Sequence, residues 1–186
     1  MNEIKKISKI DLMFENVKNK KSDINQHMET LKKYSKECEQ ITEFGIRSGR
    51  STIALLAGRP KKLTSYDINL KKFLNRDKYL NACKKEKIQF IIIEGDTLKI
   101  KIDETDLLFI DTFHIYKQLK KELKLHSERV KKYIILHDTH TFGFKGEDGS
   151  NKGLMDAVEE FLEKNKNWKL KEHFKNNNGL TILERN

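Results

Sequence analysis

The chain is poor in cysteine: Cys38 and Cys83 are the two in 186 residues, with no Cys-x-x-Cys pair and no Cys/His finger spacing. That excludes a disulfide-built scaffold and a zinc module, and free thiols fit a reducing compartment. Long apolar runs are missing as well. None approaches the roughly 18 residues a membrane span requires, and the N-terminus M-N-E-I-K-K-I-S-K-I-D has no continuous apolar core. The expectation is a soluble, cytoplasmic protein. Internal repeats and linkers are absent, and the length suits one domain able to bury a core of its own. Negative charge is in deficit, with 38 Lys plus Arg against 28 Asp plus Glu and a net charge of +10. Such a surplus suits nucleic acid, an anionic membrane surface or an acidic small molecule. The lysines, however, are scattered in pairs such as Lys32-Lys33 and Lys131-Lys132, without arginines and aromatics gathered on one element. That pattern reads as a solvated lysine-rich surface.

Against this background residues 41 to 51, I-T-E-F-G-I-R-S-G-R-S, read as a strand breaking into a glycine loop that opens a helix. A second apolar run follows at the βαβ distance and ends on Asp67. Glycines at such a strand end let the backbone approach a ligand, helix N–H groups face its anionic end, and the acid one strand over can accept both ribose hydroxyls. The spacing is E-x-G-x-x-x-G-x-S, with Arg47 where a dinucleotide loop carries its middle glycine. Glu43 would repel a pyrophosphate but could pair with an ammonium, which S-adenosylmethionine carries beside its sulfonium. The structural alternative for the glycines is a surface turn with a helix cap.

Periodicity extends the pattern. Residues 1–21 form an N-terminal arm, loosely ordered or a short docking helix, and the remaining domain spans 22–186. Helices are predicted at 22–38, from 50 or 51 to 58, at 70–83 with interrupted spacing, at 114–126 and at 154–164; strands fall at 40–44, 62–66, 90–93, 107–110 and 133–136. The tail, from Trp168, reads as two alternating strands joined by an Asn-Gly turn. The fold class is therefore α/β, a doubly wound and mostly parallel sheet with one antiparallel edge strand. Between 141 and 153 lies a loop with glycines at 143, 146, 149 and 153, long enough to act as a lid.

The strand ends deliver Glu43, Asp67, Asp96, Asp111 and the pair His137-Asp138 to one sheet edge. Carboxylates crowded there repel one another, so a function explains them better than stability does. The blocks S-D-I-N-Q-H, E-F-G-I-R-S-G-R-S-T, L-T-S-Y-D-I, E-G-D-T, L-L-F-I-D-T-F-H-I-Y, Y-I-I-L-H-D-T and N-N-N-G-L-T-I-L-E-R together resemble the class I S-adenosylmethionine-dependent methyltransferases. Within them, the chain looks like the cephalosporin-hydroxylase-like and macrocin-O-methyltransferase-like group. That resemblance implies a Rossmann-like seven-stranded sheet of order 3-2-1-4-5-7-6 with strand seven antiparallel. It also implies a cofactor site with Glu43, Gly45, Ser48, Gly49 and Ser51 at the methionine end, Asp67 on the ribose, and Asp96 and Thr97 beside the adenine. It implies a divalent metal, Mg or Mn, on Asp111, His137 and Asp138, with His114 as base. His137 stands where the group carries an acid.

Chemistry agrees in part, since an attacking hydroxyl needs a base or a cation that acidifies it. Two carboxylates and an imidazole suit Mn²⁺, Fe²⁺ or Zn²⁺ at least as well as Mg²⁺. Each residue also has a structural alternative: Asp111 and Asp138 as turn caps, His114 as a helix-start residue bonded to backbone. His126, in register with Leu119 and Leu123, reads as core or interface. The function expected is methylation of a small-molecule hydroxyl, on a sugar or polyol in glycan or natural-product biosynthesis. The alternatives are a nucleic-acid methyltransferase, against which Asp111-Thr112-Phe113-His114 replaces any Asn-Pro-Pro-Tyr-type motif, and a non-catalytic S-adenosylmethionine-binding protein. Association into a homo-oligomer is left open.

Overall fold

The computed structural model describes residues 7–186. Seven strands, β1 (Gln40–Phe44), β2 (Lys62–Asp67), β3 (Gln89–Glu94), β4 (Thr105–Ile110), β5 (Val130–His137), β6 (Trp168–Phe174) and β7 (Leu180–Arg185), form one sheet in the order β3-β2-β1-β4-β5-β7-β6. Six α-helices flank it: α1 (Lys9–Lys18), α2 (Met28–Ser35), α3 (Arg50–Ala57), α4 (Arg76–Lys85), α5 (Tyr116–His126) and α6 (Leu154–Lys164). The parallel strands outrun the apolar stretches that announce them. Thr105 and Val130 already pair at the start of β4 and β5, because ladder hydrogen bonds continue where side-chain hydrophobicity stops.

The inner strands read as continuous apolar runs because both faces are covered. Leu107 and Phe109 point to a core shared with α1, α2, α3 and α4, whereas Leu108 and Ile110 point to a second core under α5 and α6. Each of these side chains is essentially sealed from water, which is worth about 1.5–3 kcal/mol apiece. The antiparallel strand is β7, and it lies inside the sheet between β5 and β6 rather than at the edge. Composition explains the exchange: Leu180, Thr181, Ile182 and Leu183 are buried, whereas β6 carries lysines whose charge suits an unpaired edge. The two strands are joined by five residues, with Asn177, Asn178 and Gly179 all at positive φ, a longer turn than an Asn-Gly pair alone.

Of the N-terminal arm, residues 1–6 lie outside the described residues. The rest is α1, capped by the Ser8 hydroxyl and seated through fully buried Ile10 and Phe14. Arg59 ties it down, reaching Asp11 at 2.8 Å, Ser8 at 2.7 Å and Glu86 of the α4 cap at 2.6 Å. Among the described residues no helix is long and apolar enough to cross a membrane. The register sets the site. Phe44 pairs with both Tyr66 and Ile110, and Ile110 with Leu136, so Gly45, Asp67, Asp111 and His137 all follow at one level.

Candidate functional site

The loop after β1 is held from below. Gly45 has φ +88°, and a Cβ there would stand 2.0 Å from the carbonyl oxygen of Asp111, so backbone meets backbone only because the side chain is absent. Gly49, at φ +81°, caps α3 against the Phe73 ring. Asp67 braces the loop by accepting from the N–H groups of Ile46 and Arg47, both at 2.8 Å. Glu43 lies beneath it with no exposure: Ser51, Thr52 and Ser65 donate hydroxyls to its two oxygens at 2.5–3.1 Å. Burial pushes its carboxyl up to about 7, with the three hydroxyls pulling the other way. The structure therefore places Glu43 under the first turn of α3, outside the linings of both cavities described next.

Two cavities open at this sheet edge. One, of about 520 Å³, is lined by Asp67, Gly95, Asp96, Thr97, Phe113 and Gln118 among others. Asp96 is turned to the Leu98 N–H and to Lys99, which hold its carboxyl below the usual range. Thr97 is on the cavity lining but is itself buried. Its hydroxyl donates to Glu122 at 2.6 Å and its carbonyl meets His126 Nε2 at 2.8 Å, which leaves His126 in the core against Phe44. Glu122 is sealed beneath the cavity floor and also collects Thr112 and Gln118; burial raises its pKa. Sequence reasoning missed Glu122 and Gln118. The available signal was a carboxylate beside Leu123 on the apolar stripe of α5, where a glutamate needs partners.

The second cavity, of about 430 Å³, is walled by Lys21, Asp23, Arg47, Ser48, Arg50 and Ser51, with Lys72 and the short apolar pair Ile24 and Ile46. Arg47 and Asp111 line both cavities, so the two meet there. The segment at 21–27 reaches this place because the β6–β7 turn clamps it. Asn177 Oδ1 accepts from the Gln26 N–H at 2.9 Å, Asn177 Nδ2 donates to the Ser22 carbonyl at 2.7 Å, and the Asn176 carbonyl meets His27 Nε2 at 2.9 Å. Those asparagines also escaped the sequence reading as anything beyond a turn.

At the junction sit two carboxylates and two imidazoles. His114 Nε2 lies 3.1 Å from Asp111 and 2.9 Å from Asp138; His137 Nδ1 lies 3.5 Å and 3.3 Å from the same pair. Burial opposes a charged imidazole, but the two adjoining aspartates outweigh it and push both histidines up to about 10. In return Asp111 and Asp138 are held below the usual carboxylate range despite burial. His114 stands two residues before α5 rather than beginning it, because Ile115 is extended at φ −127° and ψ 147°. Its Nδ1 meets Glu147 at 2.9 Å, its carbonyl accepts from the Glu147 N–H at 3.0 Å, and the Phe142 ring stacks on it at 5.0 Å. Glu147 and Phe142 belong to the loop at 141–153, whose length the sequence shows but whose attachment to His114 it does not.

The donor chemistry fits a divalent cation. Asp111, His114 and Asp138 each offer one ligand atom, all within 4.8 Å of one another, whereas the sequence reading had His137 in this set. His137 is nonetheless poised. Its Nε2 faces the Asp23 carbonyl at 3.1 Å, which can only accept, so in the neutral ring Nδ1 turns a lone pair toward two carboxylates. Nδ1 of His137 and Oδ1 of Asp138 are buried without hydrogen-bond partners, and Asp138 is held at φ +59°. Such a strained and under-satisfied corner makes this the candidate site.

No protein-family model and no curated protein matches the sequence. Solved structures do resemble it. An O-methyltransferase from Bacillus cereus in complex with S-adenosylhomocysteine superposes over 100% of this chain and 94% of its own, with a TM-score of 0.69 at 15% identity. A methyltransferase from Podospora anserina, also bound to S-adenosylhomocysteine, covers 100% and 91% with a TM-score of 0.64 at 15% identity. Magnesium protoporphyrin IX methyltransferase from Synechocystis, with bound S-adenosylmethionine, covers 99% and 100% with a TM-score of 0.59 at 10% identity. The chain has the class I methyltransferase fold.

Proposed function

We propose that this chain is an S-adenosylmethionine-dependent O-methyltransferase acting on a hydroxyl of a small sugar or polyol, assisted by a divalent cation such as Mg²⁺ or Mn²⁺. The observation that carries the reading is the meeting of two cavities at Asp111, with an imidazole nitrogen of His114 3.1 Å from that carboxylate. Neighbours of the same fold are methyltransferases with cofactor or its product bound, and the motif blocks resemble the cephalosporin-hydroxylase-like group.

In this reading the larger cavity takes the adenosine. Asp67 keeps lone pairs for the ribose hydroxyls beside those given to the loop, and Gly95, Asp96, Thr97, Phe113 and Gln118 surround the base. Gly45, Ser48, Gly49 and Ser51 border the methionine end at the start of α3, where free helix N–H groups suit a carboxylate. Glu43 acts by holding Ser51 and Thr52 rather than by touching the ammonium. When bound, the cofactor supplies an electrophilic methyl on a sulfonium. The acceptor hydroxyl loses its proton to His114 Nε2 as its oxygen takes the methyl, and Glu147 on Nδ1 fixes which nitrogen is free.

A base must be unprotonated, and Asp111 and Asp138 alone keep His114 charged. Asp111, His137 and Asp138 would hold a cation that neutralises those carboxylates and acidifies a neighbouring hydroxyl. A second ligand set, with His114 in place of His137, is favoured by the 4.8 Å clustering and predicts a different loss pattern on mutation. The small cavity supports a polar acceptor, since Ile24 and Ile46 are its apolar lining and, among the described residues, no aromatic ring lines it to clamp a planar phenol. The catalytic unit is residues 22–186 with 1–21 as an arm, and two buried free cysteines fit a cytoplasmic setting.

The deciding experiment is transfer of a labelled methyl group from S-adenosylmethionine to a panel of sugars, sugar nucleotides and RNA. The expected result is chelator-sensitive O-methylation of a small molecule. Labelled RNA, or no binding of the cofactor by calorimetry, overturns the reading.

A further inference from the structure

The two cavities carry opposite charge. On the larger wall Asp67, Asp96 and Asp111 face Arg47, a surplus of two carboxylates. On the smaller wall Lys21, Arg47, Arg50 and Lys72 face Asp23 and Asp111, a surplus of two cations. The carboxylates there are also committed elsewhere: Asp23 pairs with Arg47 at 2.8 Å, and Asp111 is turned to His114 and His137. Lys21, Arg50 and Lys72 form no ion pair among the described residues, and they come from three separate places in the chain that converge on one wall.

We propose that the acceptor bears a phosphate or diphosphate group, bound by Lys21, Arg50 and Lys72 in the smaller cavity. The inference rests on the reading of these cavities as cofactor and acceptor sites. The cofactor cannot discharge the surplus itself: its methionine end brings one carboxylate together with an ammonium and a sulfonium, which adds positive charge to the wall. An ordinary sugar leaves three cations converging without an anion, whereas a phosphoryl group accepts from all three and from the Ser22 hydroxyl on the same lining. The larger cavity, with its surplus of carboxylates, repels a phosphate and suits an uncharged nucleoside. Two of the scattered lysines, Lys21 and Lys72, thus share one cavity wall, and the methylated hydroxyl belongs to the same molecule as the phosphate.

The test uses the full chain saturated with S-adenosylhomocysteine, with inorganic phosphate and pyrophosphate as probes and binding followed by ³¹P NMR and calorimetry. Binding of phosphate points to a monoester and tighter binding of pyrophosphate to a diphosphate; either supports the site. The Lys21→Gln/Lys72→Gln double variant, with Arg50→Gln as a separate check on the third cation, should weaken the probe at least about tenfold, as loss of charge-assisted hydrogen bonds does. Affinity for S-adenosylhomocysteine should stay unchanged in the double variant. Neither probe binding wild type, or binding that survives the double variant, overturns the proposal. A parallel loss of S-adenosylhomocysteine affinity also overturns it, because the cations would then serve the cofactor's carboxylate. Wild type that fails to bind S-adenosylhomocysteine yet binds pyrophosphate through these cations keeps the anion site and removes the methyltransferase reading.

Discussion

Glu43 illustrates how burial changes the work of a residue. Its carboxyl holds a proton more tightly folded than unfolded, up to about 7 against an ordinary 4.5, so it contributes stability below about 4.5 that is lost as pH rises through 7. Glu43→Gln removes that loss while keeping a partner for the three hydroxyls. In urea unfolding the variant should gain on wild type between pH 5 and pH 8, by on the order of 3 kcal/mol at most. A difference that does not move with pH would show that Glu43 stays in one protonation state. Asp67→Ala should weaken S-adenosylmethionine binding by roughly 1–3 kcal/mol, since it removes ribose acceptors and the brace under Ile46 and Arg47 together. At the junction the two histidines separate by outcome. If His137 is the ligand and His114 the base, His137→Ala loses Mn²⁺ binding by calorimetry, whereas His114→Ala keeps Mn²⁺ and loses roughly 100-fold or more in rate. Loss of Mn²⁺ in His114→Ala with retention in His137→Ala assigns the other ligand set.

Two connecting elements decide whether the edge is assembled. The loop at 141–153 is latched through Glu147, which bonds both the ring and the backbone of His114, while Phe142 lies on the ring face. Glu147→Ala frees the imidazole to turn, and Glu147→Gln keeps an acceptor at the same place. Turnover should therefore fall in the alanine variant and return in part in the glutamine variant, with S-adenosylmethionine affinity nearly intact in both. Collapse of cofactor affinity alongside turnover would place the loop in the cofactor site instead. The β6–β7 turn acts at longer range: its asparagines carry the segment at 22–27, and that segment supplies the Asp23 carbonyl that orients His137.

At the scale of the molecule, both cavities and the Asp111, His114 and Asp138 cluster lie at one sheet edge. In the proposed reading ligands engage loops beyond the strand ends, which only the folded state assembles, so binding acts on that state alone. S-adenosylhomocysteine at about 100 times its dissociation constant should raise the unfolding free energy by about 2.7 kcal/mol. NAD at the same concentration should produce a smaller shift in the melting temperature, because Arg47 stands where a dinucleotide loop carries its middle glycine. Equal stabilisation by NAD would return the loop to the dinucleotide class.

Local pattern determined much of this protein by itself. The alternation of apolar runs and amphipathic stretches sets an α/β chain, because strands buried on both faces and helices buried on one leave different periodicities. Gly45 and Gly49 are legible because their backbone angles are open to few other residues, and the acids at strand ends because no stability argument places them there. Tertiary structure decided the rest, since it depends on which groups meet across long separations in the chain. Glu43 was aimed at a ligand by its position in the motif, yet Ser65 on the neighbouring strand helps claim it. Glu122 went unread in the sequence, because the hydroxyls of Thr97 and Thr112 that close over it come from separate loops. Which imidazole faces which carboxylate, and which lysines of a scattered set converge on one cavity, follow from strand register and a clamping turn: distances that no local spacing encodes.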